Sequence, residues 1–289
     1  MANACSGGLD IGFASLSYLQ IGFLGVVQGI TELLPISSTA HMRIVPAMLG
    51  WPDPGSAFSA AMQLAALAAL VSYFWRDVRG VVVGSVTAIQ RRTYQDDSFR
   101  LAVAIVLATV PIGMAGLALS STLNACGTPL RSLSVIGGAC IAMAVLLAIA
   151  ELTCSHRRTV NEMRLRDALI VGLAQIGALI PGVSRSGSTL TAALFLNFKR
   201  EEAARFSFLL GLPAIALAGL KELWVLFHAH VPLEAWSLLL FGLVVASASA
   251  FVAIWGLMKL LENFSTWPFI VYRAVLGVLL LFAVQFNLA

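Results

Sequence analysis

Six long apolar runs constrain this chain more than any other feature of its sequence. They cover residues 57–75, 101–120, 133–152, 206–227, 236–260 and 267–286. A helix needs about 20 apolar residues to cross roughly 30 Å of hydrocarbon. Only 11% of the 289 residues are charged, against about 25% in an ordinary soluble domain. We therefore predict an all-α polytopic membrane protein, with a single integral membrane domain over residues 1–289, and exclude a water-soluble enzyme.

The arginines between these runs predict how the chain is oriented. Two linkers are strongly basic: the first carries Arg76, Arg79, Arg91, Arg92 and Arg100, and the second carries Arg157, Arg158, Arg164 and Arg166. Because basic loops are retained in the cytoplasm, and two spans separate the linkers, we place both linkers in the cytoplasm and the termini outside. Topology thus accounts for the net charge of +4, and we expect no nucleic acid as a partner.

Two further apolar stretches, residues 11–49 and 168–197, are each interrupted near the middle by proline and hydroxyl residues. Proline removes a backbone donor, and irregular backbone at membrane depth is tolerated only inside protein or beside a wet cavity. We predict that each stretch is a re-entrant pair of broken helices.

The two interrupted stretches also indicate an internal repeat. Aligning Pro35 with Pro181 places Ser38 on Ser184, and three predicted spans follow each stretch. Because three is odd, the second copy enters the bilayer from the opposite side, which defines an inverted-topology repeat. We predict repeat 1 over about residues 11–152 and repeat 2 over about 168–287. In such folds the broken helices meet near the midplane around an anionic ligand.

The first interruption carries residues suited to covalent catalysis. Glu32 is ionisable within an apolar stretch, and Gln28 lies one helical turn before it on the same face. Three neighbouring residues then supply hydroxyl groups: Ser37, Ser38 and Thr39. His41 follows them. A serine or histidine nucleophile beside a carboxylate is typical of phosphoryl or acyl transfer.

The second interruption adds a permanent positive charge. Arg185 can form two parallel hydrogen bonds to a phosphate. Nearby hydroxyls add further donors: Ser184, Ser186 and Thr189. This combination predicts an anion-binding loop. Two alternatives stay open: Glu32 and Arg185 form only a structural ion pair, or the hydroxyls bond only to backbone carbonyls.

These interruptions resemble the paired signature motifs of the bacterial undecaprenyl-diphosphate phosphatase family, the bacitracin-resistance phosphatases. Residues 28–41 match a Glu-or-Gln, three residues, Glu segment followed by Pro-x-Ser-Ser-Thr-x-His. Residues 181–189 match Pro-Gly-x-Ser-Arg-Ser-x-x-Thr. The resemblance implies hydrolysis of undecaprenyl diphosphate to undecaprenyl phosphate and inorganic phosphate, which recycles the lipid carrier of peptidoglycan synthesis.

The resemblance also implies a setting and partners. We expect a multi-pass protein of the bacterial inner membrane whose active site faces the periplasm. We expect bacitracin to compete for the lipid substrate. The oligomeric state is left open, with a homodimer as one alternative.

Roles for individual residues follow from the same resemblance. The implied catalytic set is Glu32, Ser38, His41 and Arg185. The implied substrate-binding set is Gln28, Ser37, Thr39, Ser184, Ser186 and Thr189. A divalent cation, Mg²⁺ or Ca²⁺, is the implied cofactor, with Glu32 as its ligand. Gln28 stands where many members have a second glutamate, and its neutral amide cannot act as a base.

Two mechanisms and two function classes stay open at this point. In the preferred mechanism Ser38 attacks the terminal phosphorus, His41 or Glu32 accepts its proton, and Arg185 neutralises the developing charge. In the competing mechanism His41 is the nucleophile. The alternative function is a transporter or flippase of an anionic prenyl phosphate lipid, because inverted repeats with broken helices are typical of transporters.

Overall fold

The computed structural model describes residues 11–119, 129–228 and 231–286, and the regular structure in these ranges is helical. Eleven α-helices follow one another in the described residues: α1 Tyr18–Leu33, α2 Ser38–Met48, α3 Ser56–Tyr73, α4 Trp75–Arg91, α5 Asp97–Ala118, α6 Leu133–Thr153, α7 Leu165–Gln175, α8 Arg185–Phe195, α9 Arg200–His228, α10 Leu233–Asn263 and α11 Trp267–Gln285. The prediction of an all-α protein is confirmed.

Five of these helices, α5, α6, α9, α10 and α11, are long and apolar enough to cross a membrane. Helices α3 and α4 count as a sixth span if taken together, although they are bent by 80° relative to each other. The predicted class of a polytopic membrane protein with about six spans is thus confirmed. Helices α9 and α10 extend several residues beyond the apolar runs. Glu201 and Glu202 lie in the first turn of α9, where acidic side chains favour a helix start.

Both interrupted stretches form pairs of short helices, as predicted. Helix α1 begins with a capping box between Ser17 and Gln20 and ends at Leu33, where the proline-containing segment takes the chain out of helical geometry. Helix α7 ends at Gln175 and continues as a short 3-10 turn before the second break. Ser37, directly before α2, and Ser184, directly before α8, both adopt a positive φ, of 73° and 71°.

The shared backbone conformation pairs Ser37 with Ser184, one residue away from the pairing given by the proline alignment. Ser37 and Ser184 occupy the equivalent position before the second helix, whereas aligning the prolines pairs Ser38 with Ser184. The backbone conformation that restarts the helix is common to both breaks, and the prolines take different places before it. With this register, Gln28 of α1 corresponds to Gln175 of α7, and both side chains are buried.

Small residues allow the broken helices to pack closely against the spans. A Cβ added at Gly29 of α1 would lie 2.8 Å from the backbone nitrogen of Ala250 in α10. A Cβ added at Gly172 of α7 would lie 2.6 Å from the Cα atom of Ala108 in α5. Such close approach between backbones is the usual way that helices associate within membranes. The catalytic candidates on α1 are thereby held against rigid neighbours.

Candidate active site

The two breaks meet inside the bundle. The Ser186 hydroxyl, at the start of α8, donates to the carbonyl oxygen of Leu34 in the first break at 3.0 Å. The guanidinium of Arg273, on α11, donates to the carbonyl oxygens of Pro35 and Gly182, both at 2.8 Å. The predicted convergence of the two interrupted stretches is therefore present in the structure.

Glu32 is the centre of the polar cluster at this junction. The residue is only 6% exposed. Its Oε2 atom accepts hydrogen bonds from Gln28 Nε2 at 3.0 Å and from the Ser38 hydroxyl at 2.5 Å. Its Oε1 atom accepts from Arg185 Nη2 at 3.2 Å. Three of the residues singled out in the sequence thus donate to the carboxylate of a fourth, Glu32.

Arg185 presents an unused donor at the same place. Its side chain is 12% exposed, and its Nη1 atom is buried with no hydrogen-bond partner among the described residues. The guanidinium lies against Gly211 of α9, where an added Cβ would be 3.0 Å from Cζ. A bound anion with oxygen atoms at this position would supply the missing acceptor.

The two helix N-termini at the junction differ in their capping. The Ser184 hydroxyl caps α8 by accepting a hydrogen bond from the Gly187 backbone nitrogen at 3.1 Å. Within the described part of the chain, no side chain caps α2, because the Ser37 hydroxyl instead contacts the Thr39 hydroxyl at 3.3 Å. The first amides of α2 and the positive end of its dipole are therefore available to an anion.

His41 lies beside this cluster with different partners. Its Nδ1 atom donates to the carbonyl oxygen of Ser37 at 2.7 Å, and its Nε2 atom lies 2.5 Å from the hydroxyl of Tyr272. The two rings are stacked, with centroids 5.7 Å apart. Because a carbonyl can only accept, Nδ1 carries the proton and Nε2 of the neutral ring accepts from Tyr272. Among the described contacts, His41 makes no hydrogen bond to Glu32 or Ser38.

The remaining hydroxyls of the second break are bonded to protein groups. Thr189 donates to the carbonyl oxygen of Arg185 at 2.8 Å and contacts the Ser207 hydroxyl. Ser184 and Ser186 contact each other at 3.1 Å. These residues surround Arg185 and order its backbone. Their contact with a diphosphate stays a prediction.

The oxygen donors near Glu32 suit a hard divalent cation only in part. The described residues contain no group of three or more His, Cys, Asp or Glu side chains that could hold a metal. Oxygen atoms of Glu32 and Ser38 lie together, whereas Gln28 presents its Nε2 donor to the carboxylate. Mg²⁺ often takes one or two carboxylates and completes its shell with substrate phosphates. The donor set fits such an incomplete site.

Two residues on α11 were missed by sequence reasoning. Tyr272 contacts His41, and Arg273 bonds to the carbonyls of both breaks. A signal for Arg273 was present, because an ionisable residue in the middle of an apolar span is rare and usually functional. Nothing in the spacing indicates its partners, which lie 238 and 91 residues away.

A buried carboxylate, a serine and an arginine are gathered where the two broken helices meet, a combination of side chains that suits an anionic ligand. The sequence matches the family model of Bacitracin resistance protein BacA over residues 21–279. The chain belongs to this family.

Named relatives are similar over most of their length. Undecaprenyl-diphosphatase 2 of Mesorhizobium japonicum is 72% identical over 255 residues, which cover 88% of this chain and 97% of that protein. Undecaprenyl-diphosphatase of Gloeobacter violaceus is 51% identical over 263 residues, 89% of each chain. The enzyme of the same name from Trichormus variabilis is 45% identical over 284 residues, 98% of this chain and 88% of that one.

Proposed function

We propose that this protein hydrolyses undecaprenyl diphosphate to undecaprenyl phosphate and inorganic phosphate. Family membership and the names of its relatives support this activity. The observation that carries the mechanism is the 2.5 Å hydrogen bond from the Ser38 hydroxyl to the Glu32 carboxylate, with Arg185 on the other carboxylate oxygen. A nucleophile, its base and a cationic stabiliser are therefore adjacent.

In the first step, Ser38 Oγ attacks the terminal phosphorus while its proton passes to Glu32 Oε2. The new O–P bond forms as the bond from that phosphorus to the bridging oxygen breaks. The electron pair of the broken bond leaves with undecaprenyl phosphate. The short Ser38–Glu32 hydrogen bond supports Glu32 as the proton acceptor, in preference to His41.

Charge on the transferring phosphoryl group is stabilised by two features of the junction. Arg185 Nη1 has no protein partner among the described residues, and the N-terminus of α2 has no side-chain cap there. The Arg185 guanidinium and the first amides of α2 would therefore have all their hydrogen bonds only when a phosphate is bound. Preorganised donors of this kind typically contribute about 10²–10³-fold each to kcat.

In the second step, water attacks the phosphoserine and inorganic phosphate leaves. Glu32, protonated in the first step, returns its proton to Ser38 Oγ as the O–P bond breaks. The water's proton is released to solvent or to the phosphate. The competing mechanism has His41 as nucleophile, but both of its ring nitrogens already have partners, Ser37 and Tyr272. This arrangement favours Ser38.

A divalent cation, Mg²⁺ or Ca²⁺, is part of the proposal. Glu32, with the hydroxyl oxygen of Ser38, would hold it together with phosphate oxygens of the substrate. When bound, such an ion supplies additional positive charge at the diphosphate. Removal of free divalent ions by a chelator is expected to reduce phosphate release, and added Mg²⁺ to restore it.

Helix directions support the inverted repeat. Helix α1 runs parallel to α10, since Tyr18 contacts Ser237 and the later Gly25 approaches Val245. Helix α7 runs parallel to α5 in the same way, because Gly172 approaches Ala108 and the segment after α7 approaches the later Gly116. These equivalent pairs are what a pseudo-two-fold axis in the membrane plane predicts.

This topology sets the proposed location of the site. With the basic linkers in the cytoplasm, the first broken pair enters from outside and the second from the cytoplasm. We place the protein in the bacterial inner membrane, with substrate reaching Ser38 from the periplasmic side. Bacitracin is expected to inhibit by competing for the lipid. A homodimer stays an untested alternative.

Phosphate release distinguishes the phosphatase from the transporter. Purified protein in detergent, with Mg²⁺ or Ca²⁺, is expected to release phosphate from undecaprenyl diphosphate, and Ser38→Ala to release almost none. Ser72→Ala is the matched control, because the Ser72 hydroxyl donates to the carbonyl oxygen of Ala68 within α3, away from both breaks. If wild-type protein releases no phosphate but exchanges prenyl phosphate between vesicle leaflets, the transporter is correct.

A further inference from the structure

Arg273 has the surroundings of a functional residue although it is remote from the sequence motifs. It lies in the second turn of α11 and is 1% exposed. No carboxylate forms an ion pair with it among the described residues. A buried and unpaired charge within a membrane is costly and is retained only where its hydrogen bonds serve a purpose.

The partners of Arg273 are backbone carbonyls from both breaks. Its Nη1 atom donates to Pro35 O at 2.8 Å, and its Nη2 atom donates to Gly182 O at 2.8 Å and Val183 O at 2.9 Å. Carbonyls at interrupted helices lack their helical partners and carry partial negative charge. One guanidinium therefore donates hydrogen bonds to carbonyl oxygens of both breaks and links the two segments.

The joined carbonyls are immediate neighbours of the candidate catalytic residues. Val183 is followed by Ser184 and Arg185, and Pro35 is separated from Ser38 by two residues. The separation between the Ser38 hydroxyl and the Arg185 guanidinium thus depends on how far apart Arg273 holds the two segments. Among the described contacts, Arg273 itself touches neither of these side chains.

Two glycines of the second break allow close packing next to Arg273. A Cβ added at Gly187 would lie 2.8 Å from Arg273 Nη1. At Gly182, which has a φ of +97°, a Cβ would lie 2.6 Å from the carbonyl oxygen of Ile136. Both glycines belong to the second break and the start of α8. The missing side chain at Gly187 therefore leaves room for the Arg273 guanidinium, and the missing side chain at Gly182 allows the second break to pack against α6.

We propose that Arg273 is a positioning residue that sets the distance between the nucleophile Ser38 and the phosphate-binding Arg185. It acts through the backbone of the two breaks and not by contact with substrate. This inference rests on the proposed phosphatase activity. It differs from a purely structural role, because it requires the catalytic step, and not only stability, to depend on Arg273.

The experiment compares Arg273→Lys with wild type in phosphate release from undecaprenyl diphosphate by the purified full-length protein. Lysine keeps the charge but replaces a planar fork by a single ammonium, so it cannot hold all three carbonyls in the same geometry. We expect kcat per folded molecule to fall by about 10–100-fold, because small misplacements of reacting groups are costly. KM should change by less than about threefold, since the substrate contacts of Arg185 are retained.

A double-mutant cycle with Ser186→Ala provides the second readout. Ser186 makes a second side-chain hydrogen bond to the backbone of the first break, at Leu34 O. If Arg273 and Ser186 both set the distance between the two breaks, the effects of Arg273→Lys and Ser186→Ala on kcat will be non-additive. Arg200→Lys is the matched control, because Arg200 donates to Glu151 at 2.8 Å and shares no hydrogen-bond partner with either break. It should lower thermal stability while leaving kcat per folded molecule within about twofold of wild type.

Three results would overturn the inference while leaving the phosphatase intact. The first is an unchanged kcat per folded molecule in Arg273→Lys, and the second is a change in KM alone. The third is that the effects of Arg273→Lys and Ser186→Ala on kcat are additive, as they are for Arg200→Lys and Ser186→Ala. Size-exclusion profiles and circular dichroism give the folded fraction for each variant. If wild type releases no phosphate, the proposed function itself fails.

Discussion

Glu32 is held by three donors that have different purposes in the proposed reaction. Gln28 and Ser38 share one carboxylate oxygen, and Arg185 bonds to the other. Gln28 fixes the carboxylate while remaining neutral, so the proton of Ser38 has one evident acceptor. The arrangement also explains how a glutamine serves at this position: it orients the base and does not replace it.

Replacing Glu32 by glutamine tests that assignment. Glu32→Gln keeps the size and hydrogen-bonding reach of the side chain, so the protein should fold. The substitution removes the basicity of the side chain. We expect kcat for phosphate release to fall by about 10²–10⁴-fold, the usual contribution of general base catalysis. Steady-state kinetics on monodisperse protein measure the change. Activity close to wild type would assign the proton to another acceptor.

Arg185→Lys separates catalysis from a structural ion pair. Lysine keeps the charge opposite Glu32 but loses the second donor, which is unused by the protein. We expect kcat/KM to fall by about 10²-fold with little change in the thermal unfolding midpoint. A large drop in the midpoint at unchanged kcat/KM would instead support the structural ion pair. Arg158→Lys, at a separate ion pair with Asp167, is the matched control.

The contacts of the candidate site were predictable where the residues are close in sequence or carry isolated opposite charges. The one-turn spacing of Gln28 and Glu32 placed them on one face, and a lone arginine opposite a lone glutamate suggested their pairing. Tyr272 and Arg273 could not be connected to the breaks, because their contacts span 231 and 238 residues. The periodicity of a sequence indicates which residues share one face of a helix. It does not indicate which helices pack against each other.

At the scale of elements, close backbone contact keeps the broken helices in place. Gly172→Ala is expected to destabilise the protein by about 1–3 kcal/mol, because the added methyl group meets the backbone of Ala108 and forces α5 and α7 apart. Thermal unfolding in detergent measures the loss.

The control for this prediction lies on the same partner helix. An added Cβ at Gly113 of α5 meets nothing within 4 Å, and alanine has a higher helix propensity than glycine. Gly113→Ala should therefore be neutral or slightly stabilising. Equal destabilisation by both variants would contradict the packing argument.

The existence of these elements was predictable, but some of their geometry was not. Proline and hydroxyl residues predicted both breaks, and apolar length predicted the spans. The 80° bend between α3 and α4 was not predicted, because it falls at Phe74, without proline or glycine. The backbone conformation before α2 and α8 pairs Ser37 with Ser184, one residue away from the pairing given by the prolines, because the prolines lie at different distances before the second helix.

At the scale of the whole molecule, orientation decides which side supplies the substrate. The test uses protein whose native cysteines are replaced and which carries a single introduced cysteine at Gly50 or at Arg92. Both positions are exposed. A membrane-impermeant maleimide should label position 50 in intact cells, and position 92 only after permeabilisation. The opposite labelling pattern would place the basic linkers outside and contradict the proposed topology.

The central claim is that the meeting point of two broken helices transfers a phosphoryl group through Ser38. The most direct measurement is rapid acid quenching of the wild-type protein during turnover of undecaprenyl diphosphate, followed by mass spectrometry of its peptides. We predict an acid-stable, base-labile phosphate on Ser38, absent from Ser38→Ala. An acid-labile phosphate on His41, or rapid turnover without any phosphorylated residue, would contradict the account.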